Sequence, residues 1–307
     1  MKRVVSVSLG SSKRNHTVKI EILGEEFSIE RIGTDGDVKK AMEIIASLDG
    51  KVNAIGLGGT DLYIYAGGRR YTFRESLKLK NCAPNTPVVD GSSLKNTLER
   101  RVIEYLRTNL NFSFKGKKVL MVSAVDRFGM AEALSASGAN LVFGDLIFGL
   151  GIPVPLHSLR TLSRVARIFA PFVVKLPIKF LYPTGAKQES TTPKFESYYK
   201  EADIIAGDFH FIKKHMPKIL EGKTIITNTV TMADIEDLRL RKVELLITTT
   251  PELAGRSFGT NVMEGVLVSL AGKGPEELSK DDFEDLLDRI DFKPRIEYLQ
   301  TGKEVKA

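Results

Sequence analysis

The chain is poor in the groups that staple or metallate a fold. Among its 307 residues there is one cysteine, Cys82, which excludes an internal disulfide and leads us to expect a reducing, cytoplasmic setting. The four histidines are scattered. His210 and His215 miss the i,i+4 spacing that would place two imidazoles on one helix face, so no metal site is expected. No apolar run reaches transmembrane length, and no integral membrane segment is expected. The nearest run, Val165 to Tyr182, is interrupted by Arg167, Lys175, Lys179, Pro171 and Pro177. It reads as a kinked, half-buried helix or a lid, with a peripheral membrane or partner surface as the alternative. Met1-Lys2-Arg3-Val4-Val5 begins a strand and lacks a signal-peptide profile. The net charge of +7 comes without a basic run or an interleaved aromatic platform, so nucleic acid is not the expected partner.

The most informative stretch runs from Lys115 to Asp145. Val119-Leu-Met-Val-Ser-Ala-Val125 is a continuous apolar segment of the kind that forms a strand buried on both faces. Asp126 to Gly129 is a tight loop, and Met130 to Ser137 has helical composition with Gly138 as its stop. Asn140 to Phe143 is a second strand, ending at Gly144-Asp145. This is the layout of a dinucleotide-binding βαβ unit with an acid about 20 positions past the phosphate loop. Ser123, Ala124 and Gly129 stand where three glycines are usual. Small residues at the first two sites permit close backbone approach. Asp126 would repel a pyrophosphate, and Arg127 could offset it. Asp145 would favour NAD, with NADP the alternative, because a carboxylate accepts from ribose hydroxyls and repels a 2′-phosphate. The competing reading of each residue is structural: a generic βαβ unit, and a turn or cap aspartate.

The rest of the chain is read more coarsely. Val4 to Leu9 alternates as a strand, and His16 to Leu23 with Glu26 to Ile32 reads as a hairpin. A capped helix covers Val38 to Leu48, a strand Asn53 to Leu57, and a second hairpin Leu62 to Phe73 around Gly67-Gly68. Arg74 to Pro87 looks irregular. Ser92-Ser93 caps a helix from Leu94 to Asn109. After a polar loop from Gly185 to Lys194, strands near 203–206, 224–228 and 243–248 alternate with helices near 211–220, 233–240 and 261–271. A loop covers 249–260, and a charged helix (280–290) with a polar tail ends the chain. The expected fold class is α/β: a mostly parallel, doubly wound, Rossmann-like sheet with a smaller, mixed, hairpin-containing N-terminal domain. The expected domains are 1–110, 111–275 as the nucleotide-binding part, and 276–307. Ligands of such sheets sit at the carboxyl ends of the strands. That rule gathers Ser123 to Gly129, Asp145, Gly207-Asp208, Asn228-Thr229 and Thr249 to Thr260 as candidate contacts.

Thr86-Pro-Val-Val-Asp90-Gly91, the helix after it, Lys115-Gly-Lys-Lys-Val-Leu-Met-Val-Ser123 and Asn261-Val-Met263-Glu-Gly-Val-Leu are similar in order and spacing to the shikimate/quinate 5-dehydrogenases. The closer resemblance is to predicted quinate-dehydrogenase-like proteins of anaerobic bacteria, over roughly residues 78 to 272. It implies NAD(P)-dependent oxidation of a ring hydroxyl on a small polar substrate. A Lys and an Asp bracket the alcohol and handle its proton while hydride leaves the same carbon. Asp90 matches the Asp. Lys80 is the first candidate for the Lys, with Lys78 and Lys95 next. Ser123, Ala124, Arg127, Gly129, Asp145, Asn228 and Thr249, from the strand-end loops, are the cofactor-binding candidates, and the resemblance adds Met263, on a helix that in the family closes over the nicotinamide. Three further readings stay open: a catalytically silent or regulatory nucleotide- or metabolite-binding protein, an acyl or aldehyde reductase using Cys82 as nucleophile, and a phosphotransferase built on Gly56 to Asp61. Oligomeric state is also open, with a homo-oligomer one expectation.

Overall fold

In the computed structural model, residues 1–66, 69–181, 191–250, 252–253 and 256–300 are described. The Gly67-Gly68 turn, most of the polar loop before Lys194, part of the 249–260 loop and the tail after Gln300 lie outside them. Along the chain run β1 (Lys2–Ser8), β2 (His16–Ile22), β3 (Glu25–Gly33), α1 (Val38–Leu48), β4 (Ala54–Gly58), β5 (Tyr63–Ala66), β6 (Arg69–Thr72), α2 (Arg74–Lys80), β7 (Val88–Val89) and α3 (Ser92–Asn109). Next come β8 (Lys118–Met121), α4 (Phe128–Ala136), β9 (Asn140–Phe143), α5 (Leu159–Val173), α6 (Ile178–Leu181), α7 (Glu196–Glu201), β10 (Ile204–Ala206) and α8 (Phe209–His215). The chain continues with β11 (Thr224–Thr227), α9 (Met232–Leu240), β12 (Leu245–Thr248), β13 (Glu252–Leu253), β14 (Arg256–Ser257), α10 (Thr260–Ala271), α11 (Lys280–Arg289) and β15 (Arg295–Tyr298).

The chain divides into two compact units, each discontinuous in sequence. Unit 1 holds residues 1–97, 167–189 and 253–292, and unit 2 holds 98–166, 190–252 and 293–307. The sheet of unit 1 has the order β2-β3-β1-β4-β7; β3, β1, β4 and β7 are parallel, and β2 turns back on β3 as the expected hairpin. The sheet of unit 2 has the order β15-β12-β11-β10-β8-β9, parallel except for the antiparallel edge β15. The fold is therefore α/β with mostly parallel sheets.

Two expectations need correction. Arg74 to Pro87 is not irregular throughout, since α2 occupies its first half; Ser76 and Leu79 are buried there, but the repeat is too short to announce a helix. The polar tail contains β15, in which charged and apolar residues alternate as an edge strand requires.

In unit 1, one face of the sheet packs Val5, Val7, Ile55, Leu57 and Val88 under Ile45 and Leu79. Val4, Phe27, Ile29 and Ala54 pack with Val262 and Val266 of α10. The close approach of α10 depends on glycine. Gly91 sits at φ +94°, where a Cβ would lie 2.8 Å from the Asn261 nitrogen, and a Cβ on Gly265 would lie 2.9 Å from Val4. In unit 2, Leu120, Ile205, Ile225 and Leu246 from four neighbouring strands pack with Phe209, Ile212, Ile235 and Leu238. In parallel sheets of this kind a ligand sits at the carboxyl ends of the strands, among the loops that follow them.

Candidate functional site

Unit 2 crosses over between β8 and β10. The chain leaves β8 for β9 on one side, then returns to β10 on the other. The topological switch point of the sheet lies there, between the loops after β8 and β10. Ala124 is buried, and Ser123, Val125 and Asp126 are half-buried. The Ala124 and Val125 N–H groups both donate to Asp145 Oδ1, each at 2.9 Å. Asp145 therefore caps the loop from the end of β9. Its second oxygen, Oδ2, is buried with no hydrogen-bond partner among the described residues. Burial pushes the carboxyl up to about 6 against the pull of the Val125 and Ala124 N–H groups, and the Asp126 charge adds to the rise.

Arg127 does not line an open anion site. It is buried, and its guanidinium donates to Glu99 and, at 3.2 Å, to Asp208. Asn228 joins them, donating to Asp208 at 2.8 Å while its own side-chain oxygen accepts from the Phe209 N–H at 3.1 Å. The Asp208 N–H reaches Ser123 Oγ at 3.5 Å. Gly207, at φ +138°, allows this closeness, since a Cβ there would lie 2.8 Å from Val122. Thus Ser123, Arg127 and Asn228 are tied together across the switch point through Asp208. Gly129 is buried in the first turn of α4. Thr249 is buried at the end of β12, its N–H donates to Thr227 O at 2.8 Å, and its hydroxyl lacks a partner among the described residues.

Unit 1 holds the other candidates. Asp90, at the end of β7, is buried and accepts at both oxygens: Oδ2 from the Leu62 and Tyr63 N–H groups, and Oδ1 from the Ser92 N–H at 3.1 Å and hydroxyl at 2.7 Å. These bonds clamp the segment after β4 to the start of α3. The clamp fixes Asp61, whose carboxylate pairs with Lys95 at 3.1 Å; the two side chains are only 11% and 9% exposed. Lys80, by contrast, donates to Tyr63 Oη at 3.0 Å and to Glu276 at 3.1 Å on the exposed side of the hairpin. Met263 is buried in α10 and belongs to unit 1, whereas the other cofactor candidates belong to unit 2. Cys82 donates to Lys78 O at 3.2 Å, and burial raises its thiol, which opposes the thiolate a nucleophile needs.

The pairing of Asp61 with Lys95 and the role of Glu264 are not read from the sequence. Asp61 stands 34 positions from Lys95, so no local spacing betrays the pair. Glu264 is fully buried on α10, bonded to Gly91 and Ser93, with Oε2 unpartnered among the described residues. Burial, and then the Asp90 charge, push it up to about 8, so it holds its proton at neutral pH. A lone acid inside the apolar run Val262 to Leu270 was the available signal.

The chemistry on offer differs between the units. Unit 2 offers a carboxylate with one oxygen anchored by two N–H groups and the other buried without a donor among the described residues. Unit 1 offers a buried Lys–Asp pair that can orient a hydroxyl and accept its proton. Among the described residues no cluster of metal ligands occurs, and no helix is long and apolar enough to cross a membrane.

The solved structures that the chain matches are distant. Glutamate dehydrogenase from Thermus thermophilus is 11% identical, with 94% of this chain and 74% of that chain covered and a TM-score of 0.41. The NAD-dependent malic enzyme of Thermotoga maritima is 13% identical over 94% and 84%, at 0.35. A galactofuranose binding protein is 14% identical over 95% and 99%, at 0.37. No curated protein matches. Residues 3–90 match a domain of unknown function (DUF8753). Residues 93–299, more than half of the chain, match another domain of unknown function (DUF8754), and the chain belongs to that family.

Proposed function

We propose that unit 2 binds a nicotinamide dinucleotide, NAD in preference to NADP, and that the chain oxidises a ring hydroxyl of a small polar acid of the quinate or shikimate type. The observation that carries this reading is Asp145. Its carboxylate is anchored by two loop N–H groups through one oxygen and keeps a second, buried oxygen without a donor. Leaving a buried acceptor unpaired costs about 1–3 kcal/mol. A ribose hydroxyl would remove that cost, whereas a 2′-phosphate would meet a like charge. A bound nicotinamide would supply the hydride acceptor.

Within unit 1 the proton work falls to Lys95 and Asp61. The ammonium orients a hydroxyl oxygen, and the carboxylate accepts its proton. Asp90, with both oxygens engaged, acts as a positioning residue that holds the Asp61 segment. Lys80 keeps the ion pair with Glu276.

A second reading, a catalytically silent or regulatory binder, draws on Arg127. Its guanidinium is spent on Glu99 and Asp208, and the loop lacks the glycines of a pyrophosphate cradle. Nicotinamide fluorescence titration separates the readings. NADH should bind, and Asp145→Asn, which offers an amide in place of the acceptor, should weaken it about tenfold. Binding without turnover of any quinate- or shikimate-like acid favours the silent reading. Absence of NADH and NADPH binding at millimolar concentration removes both as nicotinamide proteins.

A further inference from the structure

We propose that the outward face of the α5–α6 segment in unit 1 docks on an anionic lipid bilayer. Over residues 167–181 the chain is two-sided. Ala170, Val174 and Ile178 point inward and are buried, and Ile178 belongs to the core of unit 1. Two bonds fix the segment: the Arg74 N–H donates to Val174 O at 3.0 Å, and the Ile178 N–H donates to Glu75 Oε2 at 2.7 Å. The outward side carries Ile168, Phe169, Phe172, Leu176 and Phe180, with Ile168 64%, Phe172 67% and Phe180 72% exposed. Single exposed apolar residues are ordinary, but five on one short anchored segment form a patch of the kind that marks an interaction surface.

Charge selects the occupant. From Leu146 to Gln188 the sequence holds no Asp or Glu and six Lys or Arg. Arg167 and Lys175 flank the patch, and the Lys175 ammonium lies 5.9 Å from the Phe172 ring centre. A second copy meeting the patch through a two-fold axis would bring these cations against their own images. A surface of anionic headgroups over acyl chains complements both the cations and the aromatic side chains. The helix has neither the length nor the apolarity to cross a membrane, so the mode is interfacial.

The chain has no tryptophan, so Phe172→Trp places a single reporter on the exposed face. Its emission should shift to the blue with phosphatidylglycerol-containing vesicles and stay unchanged with phosphatidylcholine alone. Lys175→Glu in that background should lower partitioning by about tenfold or more. Co-sedimentation of the unsubstituted protein with the same vesicles gives an independent reading. Three results overturn the proposal: no binding to anionic vesicles in either assay; a blue shift without lipid that grows with protein concentration, which assigns the face to a second copy; or a blue shift without lipid at every concentration, which assigns it to a cover within the chain.

Discussion

Each unit holds a cluster of three charged side chains in which two flank one central ion, and the two clusters differ in burial and sign. In unit 2 a cation, Arg127, lies between Glu99 and Asp208, and the Arg127 and Glu99 side chains are only 2% and 1% exposed. In unit 1 a carboxylate, Glu276, lies between Lys80 and Arg70 and is 53% exposed. Arg127 and Lys80 both invite a catalytic or anion-binding reading from sequence. Their surroundings separate them. Arg127 is fully desolvated, so its partners depend on it. Lys80 trades water for Glu276 at little net gain. A basic residue beside a candidate loop is evidence for a ligand only after its own carboxylates have been counted.

Removing the central ion of the buried cluster should have the largest effect. Arg127→Met removes the cation that lies between Glu99 and Asp208 in a low-dielectric interior. We expect a loss of roughly 3–5 kcal/mol in urea unfolding. The double variant Arg127→Met, Glu99→Met should recover much of it, because the buried carboxylate facing the lost cation goes too. If the single variant costs less than about 1 kcal/mol, the cluster is more hydrated than its burial states, and the contrast with unit 1 fails.

A pH experiment sharpens the comparison from the other side, since Glu264 is a buried acid that solves its problem by keeping its proton. Its folded-state value, pushed up to about 8, lies above the unfolded value near 4.5. Between these values the folded protein holds a proton that the unfolded chain has released. Stability should therefore fall as pH rises through this window and level off above about 8. Glu264→Gln keeps the shape and removes the titration. Relative to the native chain it should gain roughly 2–4 kcal/mol between pH 5 and pH 8, as read by denaturant melts. Parallel pH profiles for the two proteins would show that Glu264 is ionised in the folded state.

Much of the fold was legible because its signals are local. The hairpin of β2 and β3 follows from alternation around a turn, α3 from its Ser cap and apolar repeat, and β9 from a short apolar run ending at Gly144-Asp145. What was hidden is non-local. α10 lies more than 160 positions beyond Asp90 yet packs on β1, β4 and β7, an arrangement set by Gly91 and Gly265 rather than by any pattern within the helix. Asp145 announced itself by its distance from the loop, but that one of its oxygens is engaged and the other is not depends on backbone geometry that no spacing encodes. The Asp61–Lys95 pair was hidden for the same reason. Each residue is ordinary alone, and the pair is formed across the segment that Asp90 ties to the start of α3.

The smallest effect belongs to the exposed cluster and tests the other half of the comparison. Partial burial works against ionisation of Glu276, but hydrogen bonds from Lys80, Arg70 and Tyr63 outweigh it and hold the carboxyl down at about 2. A depressed acid stabilises the fold above the ordinary value and loses that contribution as pH falls toward the depressed one. Because the carboxylate is largely exposed, solvent screens the gain, so the shift overstates its worth. Lys80→Ala should cost no more than about 1 kcal/mol at low salt, and the difference from the native chain should shrink at about 0.5 M salt, where screening shortens to a few ångströms. Turnover gives the second readout. If Lys95 and Asp61 carry the proton step, Lys80→Ala changes kcat little while Lys95→Ala abolishes it. A collapse of kcat in Lys80→Ala with stability intact would return Lys80 to the reaction and make its pairing with Glu276 a resting arrangement.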